Sequence, residues 1–420
     1  MRARLAGFLI ACALAAVADG EVLAVRGGTV HTLGQAGTLE GATVLIEDGV
    51  IQAVGVGIAI PPGARVIAAE GKVVTPGLLD SVSRIGLAEI SLESATVDSA
   101  SDDPHWTAAF SVADAFNPAS SLVAINRIEG LTRAVLAPRA RSGPLAGIAA
   151  AVDLVGGEPS PVAMFAVYGE AGAERAGGSR AVALARLREA LQDARDFRAH
   201  RAAFERGERR SYALSRHDLA ALEPVIDGRL PLAVEAHRAS DLRALLRLAR
   251  ELEIGLVLVG ATEAWKVAAE LAEAGVPVVL DPLENLPSSF ERLGSTLAAA
   301  ARLHAAGVEI AFSTGTAHNG RNLKQSAGIA VAYGLPWEAG LRAMTSGPAG
   351  IWGLDAAYGS LEVGKAADVV VWDGDPLEVT TFADQVIIAG EMVPMSSRQT
   401  LLRDRYRDLD DPRLPAYRQP

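Results

Sequence analysis

From about residue 230 the chain switches repeatedly between two kinds of segment. LPLAVEA, IGLVLVG, VPVVLDP and VEIAFST are short apolar runs. DLRALLRLARELE, TEAWKVAAELAEAG and SSFERLGSTLAAAARLHAAG lie between them and carry apolar residues at helical spacing. A strand that is apolar at nearly every position is covered on both faces, and strands alternating with amphipathic helices run parallel under them. Four earlier runs, VTPGLLDSV, LTRAVLA, IAAAVDLV and VAMFAVYG, read as further strands. Eight strands of this kind predict an α/β chain folded as a closed (β/α)8 TIM barrel rather than an open doubly wound sheet. The barrel is placed at residues 75–354, with the strand near Leu78 to Val82 paired to the one near Glu309 to Phe312.

The two ends of the chain follow another rhythm. EVLAVRGGTVHTL, ATVLIEDGVIQAVG and ARVIAAEGKVV alternate β-branched residues and bend at glycine turns, as do GSLEVGKAADVVVWDGD and FADQVIIAGEMV near the other end. Such strands need a second layer to bury one face, so residues 19–74 and 355–395 are expected to form one small composite β-sandwich domain. Within the barrel region, SRAVALARLREALQDARDFRAHRAAFERG is a long helix with Leu184, Leu187, Leu191 and Ala194 on one face, packed on the barrel exterior. Residues 396–420 form a polar tail.

Residues 1–18 have a basic start at Arg2 and Arg4, an apolar core, and a small-residue stretch before Asp19. They read as a secretory signal peptide, the core being shorter than the roughly 20 residues a spanning helix needs. The one cysteine, Cys12, lies in that leader, so a mature chain has no disulfide framework. Periplasmic or otherwise secreted location is the expectation. Net charge is −11, and −13 without Arg2 and Arg4; no stretch joins basic and aromatic residues, which argues against nucleic acid as a partner. There is no P-loop, dinucleotide fingerprint or G-x-S-x-G elbow.

Four segments, GKVVTPGLLDS, PLAVEAHRASDLRALL, GIAVAYGLPWEAGLRAMTSGPAGIWGL and GSLEVGKAADVVVWDGDP, together resemble the amidohydrolase superfamily, in particular its imidazolonepropionase-like and prolidase-like secreted members. The resemblance covers about residues 21–395. It implies hydrolysis of C–N or related bonds at the C-terminal mouth of the barrel. One or two divalent metals would there activate water and polarise a carbonyl. It also implies ligands: His-x-His after the first strand, often a lysine on a middle strand, two later histidines and an Asp on the eighth strand. In this chain Asp80 matches, but Val82 and Arg84 stand where the first histidines would, and no lysine occurs between Lys72 and Lys266. Glu235 takes the fifth-strand ligand position with His237 beside it. Val259 and Gly260 stand where a sixth-strand histidine belongs, and Gly315 and Thr316 where the eighth-strand Asp belongs. Valine and glycine side chains cannot coordinate, and arginine brings its own cation.

These residues make Asp80, Arg84, Glu235 and His237 the candidate catalytic set, and His105, His318, Asn319 and Arg321 the candidate substrate-binding set, with no metal and no cofactor expected. A rebuilt mononuclear site from Asp80, Glu235, His237 and His318 competes with a simpler arrangement. In the latter Asp80 pairs with Arg84, Glu235 pairs with Arg238, and the histidines donate hydrogen bonds to loops. The functional expectation is a non-catalytic binder of a small molecule or partner chain, with a hydrolase of C–N bonds using rebuilt chemistry as the alternative. Trp106, Phe110 and Phe116 suggest a homodimer contact over residues 104–118, or aromatics folded back onto their own barrel.

Overall fold

A computed structural model describes residues 22–407 and residue 410, so the leader and the end of the polar tail lie outside the described residues. The β-branched alternation of the first segments builds β1 (Leu23–His31), β2 (Thr38–Glu47), β3 (Val50–Gly55), β4 (Arg65–Ala68) and β5 (Val73–Pro76). Those strands are joined in one mixed eight-stranded sheet by β14 (Val369–Trp372), β15 (Ala383–Ile388) and β16 (Glu391–Met392) from the other end of the chain. The strand order is β16-β15-β14-β5-β1-β2-β3, with β4 alongside β1. In β14 the period of two decides which layer each residue joins. Val369 and Val371 enter the core of this sheet, whereas Val370 and Trp372 pack into the barrel's outer core.

The second sheet is the barrel. In chain order its strands are β6 (Leu78–Ser83), β7 (Leu131–Leu136), β8 (Leu145–Asp153), β9 (Ser160–Val167), β10 (Leu232–Ala236), β11 (Leu256–Gly260), β12 (Val278–Leu280) and β13 (Ile310–Phe312), and each is hydrogen-bonded to the next. The interior is narrow and filled by small and branched side chains, among them Ala149, Ala163, Ala233, Val257, Val279 and Ala311. Their neighbours along the strands face outward against helices such as α1 (Arg180–Glu205) and α2 (Ala239–Glu251). On α1, Leu187, Leu191 and Ala194 are buried as their spacing predicts, and Leu184 is partly covered. The helix kinks at His200.

Three features depart from the expected regular barrel. First, β8 runs antiparallel to both β7 and β9, so this quarter is a meander without intervening helices. Second, β6 and β13 are the two ends of the sheet and share no ladder. Residues 343–344 lie across the seam: Leu79 N donates to Met344 O at 2.8 Å and Phe312 N to Ala343 O at 2.8 Å. The hydroxyl of Ser313 completes the closure by donating to Val82 O at 2.7 Å. Third, the segment SSFERLGSTLAAAARLHAAG is helical only over α3 (Ala299–Ala305); residues 281–298 form a long loop at the barrel mouth. Among the described residues, no helix is long and apolar enough to cross a membrane.

Candidate active site

Strand alternation brings Glu235 to the barrel interior two residues after Ala233, level with Val259 on one neighbour and Val167 on the other. Together with Val82, Arg84, His237, Leu280, Ser313 and Gly315 it lines a chamber of about 410 Å3 at the C-terminal ends of the strands. This is where a barrel of this kind carries its chemistry. A smaller recess of about 200 Å3 opens beside Arg84 and Glu235 toward Arg139 and Phe165.

Asp80 is in the floor of this region and fully buried. It accepts from the Thr314 hydroxyl at 3.1 Å and more distantly from the amides of Val82 and Thr314, both at 3.4 Å. Burial pushes its pKa up to about 7, and these hydrogen bonds only partly offset that. The expected Asp80–Arg84 ion pair is not made. Arg84, just past the end of β6, instead donates from Nη1 to Gly315 O at 2.8 Å. Burial presses the Arg84 pKa down, and nearby Arg139 adds to this while Glu235 opposes it.

Glu235 does not pair with Arg238 either. Its Oε1 is 3.7 Å from Nε2 of His237, an electrostatic contact rather than a hydrogen bond. The proximity of His237 foremost, then the charges of Arg292 and Arg84, hold the Glu235 carboxyl below the ordinary range against the effect of its burial. Its side chain remains about half exposed (48%), open to the chamber.

His237 is the centre of a ring of polar contacts. The Thr262 hydroxyl donates to Glu284 Oε2 at 2.8 Å, so it accepts from Nδ1–H of His237, also at 2.8 Å. Glu284 is paired with Arg292, whose Nη2 lies 3.1 Å from His237 Nε2. Nε2 is therefore engaged in either protonation state: neutral, it accepts from Arg292, and protonated, it faces Glu235. The imidazole also packs on Gly260, whose φ is +76° and where an added Cβ would fall 2.6 Å from His237 Cε1.

The four candidate substrate-binding residues lie outside the lining of these cavities. His105 is on an exposed loop, its amide bonded to Asp103. His318 and Asn319 are exposed and Arg321 is half-buried; His318 Nε2 lies 3.4 Å from Arg321 Nη2. Arg321 and Ala317 are tied to Asn126, which accepts from Arg321 N and donates to Ala317 O. Of the aromatics at 104–118, Phe110 and Phe116 pack on the barrel core, while Trp106 stays 45% exposed and stacks on His217 with ring centroids 5.2 Å apart. Sequence reasoning missed Thr262, Glu284 and Arg292. Two of them follow the seventh strand in DPLENLPSSFERLG, a post-strand loop of the kind that carries function, where the reading of SSFERLGSTLAAAARLHAAG as a helix hides Arg292.

The profile of the amidohydrolase family matches residues 201–393. An amidohydrolase structure from Thermotoga maritima MSB8 superposes with a TM-score of 0.79 at 26% identity, over 89% of this chain and 99% of that one. Over residues 201–393 the chain resembles the amidohydrolase family, and over most of its length it shares the fold of the Thermotoga amidohydrolase. Among curated proteins, the amidohydrolase tasK of Hapsidospora irregularis is 45% identical over 58 residues, 14% of this chain and 6% of that protein. A 5-methylthioadenosine/S-adenosylhomocysteine deaminase of Desulforudis audaxviator (strain MP104C) is 37% identical over 113 residues, 24% of this chain and 25% of the deaminase. These matches thus span a quarter or less of each curated relative.

Amidohydrolases of this superfamily use divalent metal, and the donors at this mouth do not fit one. Among the described residues no three His, Cys, Asp or Glu side chains are grouped to hold a metal ion. Arg84 supplies a cation in the space, both nitrogens of His237 are engaged, and Asp80 is buried in hydrogen bonds with Thr314.

Proposed function

We propose that this chain is an exported amidohydrolase-fold protein that binds a small molecule at the barrel mouth, its own side chains replacing the usual metal centre. The observation that carries this reading is the ring His237–Thr262–Glu284–Arg292, which occupies the imidazole that a rebuilt mononuclear site would need, beside an open chamber with apolar walls. The residues assigned to the site are Asp80, Arg84, Glu235 and His237. His105, His318, Asn319 and Arg321 are outer residues that only a ligand extending past the chamber would meet. Export rests on the leader-like residues 1–18, and a homodimer contact over residues 104–118 rests on the exposed Trp106. Light scattering of the wild type and of Trp106→Ser tests the latter.

A second reading is favoured by Glu235 itself. A half-exposed carboxylate beside a guanidinium can act as general base with Arg84 steadying a developing oxyanion, which suits hydrolysis of a C–N bond in a cyclic or dipeptide-like amide. Turnover of a panel of such amides, followed with purified protein and with Glu235→Ala, separates the two. Ligand-induced thermal stabilisation without turnover supports the binder, whereas turnover abolished by Glu235→Ala makes the chain a hydrolase. Elemental analysis of the protein purified without chelator tests the replacement of the metal; near-stoichiometric zinc, iron or manganese overturns it.

A further inference from the structure

The recess beside Arg84 differs from the rest of the mouth in its charge. Its charged residues are Arg84, Arg139, Arg175 and Glu235, and Phe165 and Val167 stand among its apolar walls. One carboxylate faces three guanidinium groups, in a chain whose net charge is −11. Arg175 is committed: Nε donates to Ala140 O at 2.9 Å and Nη1 to Ala171 O at 2.6 Å. Arg84 and Arg139 are not. Arg84 uses only Nη1, on Gly315, and its buried Nε has no hydrogen-bond partner. Among the described residues the Arg139 side chain makes neither a hydrogen bond nor an ion pair. Two like charges bordering a recess with apolar walls disfavour each other, and an anion between them relieves both; burial first, and Arg139 after it, lower the Arg84 pKa.

We propose that this recess binds the carboxylate of a small ligand between Arg84 and Arg139, with the ligand's uncharged body in the adjoining chamber. The two cavities share Val82, Arg84, Glu235 and Val259, so one molecule can reach both. A carboxylate is the anion that fits because Arg84, with Nη1 held by Gly315, keeps its Nε/Nη2 edge, a planar pair of donors matched to two oxygens. Val82, Val259, Val279 and Leu280 give the chamber an apolar side suited to an acyl or aryl group. The inference rests on the reading of the mouth as a small-molecule site.

The test is calorimetric titration with N-benzoylglycine, its neutral amide N-benzoylglycinamide, and inorganic phosphate. The acid is expected to bind on the order of tenfold more tightly than the amide, and phosphate more weakly than the acid. Arg139→Gln, at an exposed side chain that folding does not depend on, should bring the acid down to the level of the amide while leaving amide binding unchanged; Arg84→Gln should also weaken acid binding. Acid and amide binding equally, in wild type and variants, overturns the carboxylate assignment and leaves the mouth a small-molecule site. Phosphate binding as tightly as the acid also overturns it, in favour of an unselective anion site. If neither benzoyl compound binds at about 10 mM, both the assignment and the reading beneath it fail.

Discussion

Two parts of this molecule hold buried charge in opposite ways. At the junction between barrel and composite sheet the buried charges of Arg133, Asp368 and Lys324 are held by protein partners. Arg133 Nε donates to Asp368 Oδ2 at 2.6 Å, the guanidinium lies 3.5 Å over the ring of Tyr358, and the other Asp368 oxygen accepts from Ala389 N at 2.9 Å. Lys324, also buried, donates from Nζ to Thr381 O at 2.6 Å, linking a helix outside the barrel to the loop before β15. At the barrel mouth, by contrast, Asp80 is buried without a cation, and Arg84 has an unpartnered Nε beside a second arginine. A junction that only has to hold can satisfy all its groups internally. The mouth leaves groups that the proposed ligand would satisfy, and the fold sustains that because it is anchored elsewhere.

The contrast can be broken most forcefully at the junction. Asp368→Ala leaves Arg133 buried without its carboxylate and is expected to cost about 3–5 kcal/mol in urea unfolding. A loss under about 1 kcal/mol would show that the junction is not the anchor supposed here. Asp80→Asn probes the mouth through pH. The folded pKa of Asp80, about 7, lies above its ordinary value of 3.8. Between these values the unfolded chain releases a proton that the folded chain keeps, so stability falls as pH rises through this window and is level on either side. The substitution should flatten that slope, recovering about 2–4 kcal/mol at neutral pH relative to wild type; parallel stability profiles for the two proteins would refute the assignment. Thr262→Val cuts the link between His237 and Glu284 and should cost about 1–2 kcal/mol, with the His237 imidazole resonances shifted in NMR spectra. Smallest of all, Arg139→Gln should leave unfolding within about 0.5 kcal/mol of wild type, since its side chain is exposed and makes no contact that folding uses.

The barrel was legible because period and length decide it: apolar runs of five or six residues between helical patterns leave few alternatives. The direction of β8 was not, since IAAAVDLV reads the same in either orientation, and only the absence of a helix between it and its neighbours hints at a meander. The loop at 281–298 hid because ERLGSTLAAAARL has helical spacing, although Pro287 and Gly294 within the stretch were signals against a continuous helix. In the site, what stands at Val82, Arg84, Gly260 and Gly315 could be read from position alone. The partners could not. Asp80 meets Thr314 across the barrel seam and His237 meets Arg292 from a loop 55 residues later, contacts that only the closed fold creates.

The left-handed turn at Gly260 bears on what this mouth can be rebuilt into. Any side chain placed there meets both an unfavourable backbone and the ring of His237, and His237 is itself fastened to Thr262 and Arg292. A histidine installed at 260 alone would therefore break one arrangement before it could begin another. Building a metal centre at this mouth demands several coordinated changes, since the contact resists the first of them.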